Sequence, residues 1–158
     1  LPTITMWLMG SLANVSYRDV LLCAAIEIPC LAVAMILRWK MNLLSLEQEE
    51  ARSLGINVKK LRLAVILIAT IMTADTVSVC GIIGWIGLVI PHIARLLIGN
   101  DHRTLIPASA LMGSIYLLLI DTAARAATAG EIPLSILTAM VGAPFFAVIL
   151  RKTSGGRE

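Results

Sequence analysis

Apolar residues run along this chain in long blocks, not in the alternations or narrow stripes of a soluble domain. Val20 to Leu37 is interrupted only by Glu27 and Pro29, Leu63 to Ile83 only by Asp75, and Ile132 to Leu150 by no charge at all. Leu105 to Ala124 forms a fourth block, broken near its end by Asp121, and Trp85 to Ile98 a shorter fifth. A helix that crosses the hydrocarbon core needs about 20 mostly apolar residues. The four long blocks therefore predict membrane-spanning helices, and the fifth a short one. The expected fold is all-α and integral to a membrane, with about five passes. Residues 1 to 158 read as one transmembrane domain.

Composition supports this pattern. Of 158 residues, 58% are hydrophobic and 15% charged, with a mean hydropathy of +0.89. Soluble domains carry roughly 25% charged residues, so this chain cannot cover itself with polar surface. The net charge of +3 is no nucleic-acid signal, because the basic residues are partitioned. Apart from Arg18 and Arg125, all 13 Lys and Arg fall in the links from the first to the second block and from the third to the fourth, or in the tail. Short cytoplasmic loops carry such an excess. The expected topology places the first residues outside and the C-terminus in the cytoplasm. The outer links are then those at Arg18, at Gly81 to Gly84 and at Arg125 to Glu131. The apolar opening, Leu1 to Ala13, lacks the basic start and cleavage site of a signal peptide, and reads as a continuation from the middle of a larger protein.

Cys23, Cys30 and Cys80 lie within the apolar blocks without metal-ligand spacing and read as small hydrophobes. His92 and His102 form no ligand cluster, so no metal site is expected.

Two stretches carry more specific information. In the cytoplasmic link, residues 42 to 57, Ser45 and Gln48 have the spacing of a capping box. Leu46, Glu50 and Leu54 recur at helical spacing, Gly55 suits a C-cap, and Asn57 suits the N-cap of the next helix. The expectation is a short cytoplasmic helix, a sharp turn and a second helix start. The other stretch is Gly81-Ile-Ile-Gly-Trp-Ile-Gly-Leu-Val-Ile-Pro-His-Ile-Ala-Arg95. Gly81, Gly84 and Gly87 at spacing three, followed by Pro91, make a poor continuous helix. Irregular backbone at membrane depth is tolerated only against protein or a water-filled cavity, and transporter sites use such broken helices. Close packing through small residues explains the glycines equally well.

These residues resemble one family closely. Gly81 to Arg95, Asp101-His102-Arg103, Asp121 with Arg125, Glu131-Ile-Pro133 through Gly142-Ala-Pro-Phe145, the opening Trp7-Leu-Met-Gly-Ser11 and Asn42 to Gly55 are similar, in order, to the permeases of bacterial ABC importers for iron-siderophores, haem and cobalamin. The resemblance implies that the chain is the C-terminal half of a roughly ten-helix permease in the bacterial inner membrane. It implies a second permease copy, two cytoplasmic ATPase subunits that use the ATP, and an extracytoplasmic substrate-binding protein. By the same resemblance Leu46, Glu50, Ala51, Leu54 and Gly55 couple to the ATPase. The resemblance also implies that Arg125 docks the binding protein, while the broken-helix pattern makes Gly81, Gly84, Gly87 and Pro91 the expected lining of the translocation pathway. One departure is Glu47, where the family usually has Gly; an acid early in a helix suits its dipole.

Glu27 and Asp75 fall outside the family pattern. A charge in the membrane is costly and by default functional, so both are candidate pathway acids, with hydrogen bonding to Thr73 and Thr76 the simpler alternative. They also motivate a different reading, a proton-coupled secondary transporter using Asp75 and Glu27. An intramembrane enzyme is not indicated, since neither HExxH nor GxSxG occurs and the acids are scattered. The chain also lacks a glycine-rich phosphate loop with its Lys, so no ATP-binding or other cofactor site is expected on it.

Overall fold

The computed structural model describes residues 2–46, 53, 55–127 and 132–154. Among them every regular element is helical, as the block pattern predicts: α1 (Pro2–Leu8), α2 (Tyr17–Met41), a 3-10 turn (Asn42–Ser45), α3 (Val58–Cys80), α4 (Ile86–Ile98), α5 (His102–Ala127) and α6 (Leu134–Ser154). Three helices are long and apolar enough to cross a membrane, over Tyr17–Leu44, Val58–Cys80 and His102–Ala126. Two shorter apolar helices, Ile86–Ile98 and Leu134–Ile149, accompany them.

Local chemistry sets the ends. Ser16 and Asp19 form a reciprocal capping box at the start of α2: Ser16 N–H donates to Asp19 Oδ2 at 2.9 Å, and Ser16 Oγ accepts from Asp19 N–H at 3.3 Å. Arg38 and Lys40 sit in its last turn, where cations suit the helix dipole. Asn57 caps α3 by accepting from Lys60 N–H at 3.1 Å, as its position predicts. Helix α3 stops at Gly81, whose φ of 73° lies in the left-handed region, and α4 stops before Gly99 at φ 95°.

Helix α5 is central: α2, α4 and α6 all pack on it, α2 also packs on α3, and α4 on α6. Most of the buried side chains lie on α4 to α6 (Val89, Ile90, Ala94, Leu105, Ala124, Leu134 and Thr138), and Val58, Leu61 and Cys80 on α3. No residue of α2 is buried, and its large apolar side chains Leu21, Ile28 and Ile36 are exposed. For a membrane helix this needs no internal explanation, because lipid or further protein is an adequate solvent for that face.

Candidate functional site

The break between α3 and α4 is the main irregularity inside the apolar bundle. It is shorter than the glycine spacing suggests. Residues 81 to 85 are non-helical, whereas Gly87 and Pro91 lie inside α4, so Pro91 does not end the helix. Proline removes one hydrogen bond and crowds the carbonyl four residues back. Here that carbonyl belongs to Gly87, whose backbone yields more readily than any other residue's.

The three glycines differ in environment. Gly81 is buried, and a Cβ on it would fall on the Trp7 carbonyl oxygen. Gly10, at φ 69°, approaches from the other side; its Cβ would lie 2.6 Å from Ile82 O. Close packing therefore accounts for Gly81. At Gly84 and Gly87 a Cβ would meet nothing within 4 Å, so these two face open space. Between them Trp85 holds a φ of 67°, an outlier for a bulky side chain. Its indole sits against α6: a Cβ on Gly142 would lie 2.6 Å from Trp85 Cβ, and the Phe146 ring meets the indole edge-on at 6.2 Å. Ile86 N–H donates back to Gly84 O at 2.8 Å, and Val89 N–H to Trp85 O at 2.9 Å, which starts α4.

The opening residues brace the same end of the bundle. Ser11 N–H donates to Cys80 O at 2.9 Å, Trp7 Nε1 to Ser78 O at 3.4 Å, and Leu134 N–H to Gly10 O at 3.1 Å. Arg125 lies at this end too, near the close of α5. It is exposed and donates from Nε to Asp121 Oδ2 at 2.9 Å, the i,i+4 pair the spacing predicts.

At the opposite end the first residue of the stretch expected to couple departs from expectation. Leu46 is extended, with φ −79° and ψ 157°, and follows the 3-10 turn; it is not part of a helix capped by Ser45. The 3-10 turn uses up the residues before it, with Leu46 N–H bonded to Leu43 O at 3.3 Å. Glu50, Ala51 and Leu54 lie outside the described residues, as do Glu47 and Gln48. Gly55 has φ 74°, and a Cβ on it would meet nothing within 4 Å, the conformation expected of a C-cap glycine.

Glu27 and Asp75 both lie at the α2–α3 seam, each beside a residue of the other helix. Thr76 Oγ1 donates to Glu27 Oε1 at 3.1 Å while also contacting Met72 O at 2.8 Å. Cys23 lies beside Asp75, and the buried Asp75 Oδ2 has no hydrogen-bond partner in the protein. Thr73 is turned to Ala69 O instead, at 2.8 Å. Among the described residues no group of three or more His, Cys, Asp or Glu is arranged to hold a metal ion.

Sequence reasoning missed two arrangements. One is the strained Trp85 against Gly142, which no local pattern announces. The other joins the foot of α2 to the α4–α5 turn. Asn42 Nδ2 donates to Asp101 Oδ1 at 2.7 Å, and Asn42 Oδ1 accepts from His102 N–H at 2.8 Å and from His102 Nδ1 at 2.7 Å. Asp101 also caps its own helix, accepting from Arg103 N–H at 2.9 Å. That amide, followed by the Asn42 side chain, holds the Asp101 carboxyl below its ordinary value. An Asp directly before a helical pattern is legible as a cap; its partner on α2 is not.

Comparison with known proteins places these features. A family model described as the FecCD transport family matches residues 1–152. The chain is 42% identical over 156 residues to the molybdate import system permease protein MolB of Haemophilus influenzae, covering 99% of this chain and 46% of that protein. It is 40% identical over 150 residues to the hemin transport system permease protein HmuU of Yersinia pestis, covering 94% and 45%. A solved structure described as an inward-facing conformation of a metal-chelate type ABC transporter matches with a TM-score of 0.92 and 43% identity, over 96% of this chain and 49% of that one. The chain thus spans about half the length of the relatives it matches.

Proposed function

This chain belongs to the FecCD transport family, and on that premise we propose that it is the C-terminal half of the permease subunit of a binding-protein-dependent ABC importer. The cargo class is an iron-siderophore, haem, cobalamin or related metal chelate. The observation that carries the reading is the match to an inward-facing transporter across nearly the whole chain, combined with a strained, glycine-flanked break that opens at Gly84 and Gly87.

In this reading two permease copies enclose the pathway in the bacterial inner membrane, and two cytoplasmic ATPase subunits drive it. The end with Asn42 and Asp101 faces the cytoplasm, and the end with Gly10, Gly81 and Arg125 faces outward. The binding protein docks at Arg125. The segment from Leu46 through Glu50, Ala51 and Leu54 to Gly55 engages the ATPase, and its motion reaches the attached helices as a rigid-body shift. Gly84 and Gly87, with Pro91 below them, line the route, and Gly81 anchors the start of the break. Glu27 and Asp75 contribute acid groups from the α2–α3 seam to the pathway; replacing them by Gln and Asn should alter cargo uptake, and unchanged uptake removes them from it.

The relatives are permeases by name, which speaks against a proton-coupled secondary carrier. Uptake of ferric siderophore, haemin and cobalamin into proteoliposomes holding the full-length permease and its ATPase, with the binding protein added outside, separates the two. The importer reading expects uptake only with ATP inside. Uptake driven by a pH gradient without the ATPase would overturn it.

A further inference from the structure

Asn42 closes α2 and opens the 3-10 turn that leads to Leu46. It stands between a membrane helix and the stretch assigned to the ATPase. Its amide orientation is forced: the backbone N–H of His102 can only meet the oxygen, and the Asp101 carboxylate can only meet the nitrogen. The first amide of α5 is therefore satisfied by the C-cap residue of α2, and the second by Asp101. Arg38, one turn earlier on α2, donates to Arg103 O at 3.0 Å.

Chain connectivity supplies no short link between the coupling stretch and the α4–α5 hairpin. The backbone reaches α4 only by running the length of α3 and through the irregular turn at residues 81–85. The side-chain network joins them directly. Bonds of 2.7–2.8 Å at both polar atoms of one amide are lost within about 1 Å of separation, so the two feet move together or the network breaks.

We propose that Asn42 and Asp101 are positioning residues that clamp the foot of α2 to the α4–α5 turn. Displacement of residues 46–55 then reaches α4, and with it the opening at Gly84 and Gly87, as one body. This rests on the permease reading above.

The test uses the full-length permease with its ATPase, lacking Cys23, Cys30, Cys80 and any cysteine of the other half. A spin label is placed at Leu88→Cys on α4, an exposed position. The distance between labels on the two permease copies is measured without nucleotide and with ATP plus vanadate. In the unaltered clamp, nucleotide shifts this distance. Asn42→Asp sets a second carboxylate against Asp101 and should cut the nucleotide-shifted population about fivefold or more, in the range of a typical coupling, while ATP hydrolysis continues. Asn42→Asp with Asp101→Asn restores an amide–carboxylate pair and should recover the shift; Asn42→Ala gives a milder loss. Should Asn42→Asp fold poorly, Asn42→Ala and the double replacement carry the same comparison. A full shift in Asn42→Ala or Asn42→Asp overturns the clamp, even if their yield falls, since that would leave a purely structural role. No shift without clamp replacements refutes the permease reading itself, and the clamp falls with it.

Discussion

The two ends of this helix bundle are held together by different chemistry. At the end with Gly10 and Gly81, the tightest contacts are backbone against backbone. Two left-handed glycines interleave so closely that a single added methyl group would overlap a carbonyl, and main-chain bonds tie residues 10 and 11 to α6 and α3. At the end with Asn42 and Asp101, side chains do the joining, through an amide, a carboxylate, an imidazole and a guanidinium. Backbone contacts of the first kind leave no room to slide, because every atom is fixed by its neighbours in the chain. Side-chain contacts can be made, broken or retuned by one substitution. The first end is built as a backbone brace, and the second as a side-chain clamp next to the stretch proposed to meet the ATPase.

The brace is where substitution costs most. Gly81→Ala adds a methyl against Trp7 O at a positive φ, and left-handed strain plus overpacking should destabilise the protein by about 3 kcal/mol or more. A thermal midpoint of the full-length protein equal to that without the change would show that the brace has slack. Gly142→Ala comes next. The methyl meets Trp85 Cβ and should cost about 1–3 kcal/mol, read in the same assay. In a Trp85→Gly background, where the clashing side chain is gone, the same Gly142→Ala replacement should add little further cost.

Arg125→Glu, exposed on the brace side, should leave stability within about 0.5 kcal/mol. By reversing a rim charge it should lower affinity for the binding protein several-fold, as measured by titration with the purified partner. Unchanged affinity removes the docking assignment.

The clamp gives the smallest effect, a pH signature. Asp101 has its carboxyl below the ordinary value because Arg103 N–H and then Asn42 bind the charged form, with His102 and Arg103 adding attraction. A depressed carboxyl adds stability above its unfolded pKa and loses it as pH falls through the folded one. The thermal midpoint should therefore be insensitive to this group near neutrality and fall only at more acidic pH. Asp101→Asn should remove that part of the acid loss; an identical acid profile would show that Asp101 is not engaged.

Much of this was legible in the sequence. The apolar blocks gave the helices, Asn57 its cap, Gly55 its left-handed turn, and Asp121 with Arg125 their pair, since each depends on neighbours within four residues. What was not legible depends on residues far apart in the chain. Gly81 differs from Gly84 and Gly87 in its left-handed φ and because Trp7 and Gly10 arrive against it. Pro91 reads as a breaker yet is accommodated, and Leu46 reads as helical yet follows a 3-10 turn. Glu27 and Asp75 read as isolated charges, but share a seam through Thr76 and Cys23.

The central claim is that the stretch beginning at Leu46 meets an ATPase. A photo-crosslinking residue in place of Glu50, in the full-length protein in native membranes with mass spectrometry of the adduct, tests it most directly. A crosslink to an ATPase subunit is the predicted result. A well-expressed protein whose photoproducts contain only lipid or its own chain, with the crosslinker active at control positions, would contradict the account.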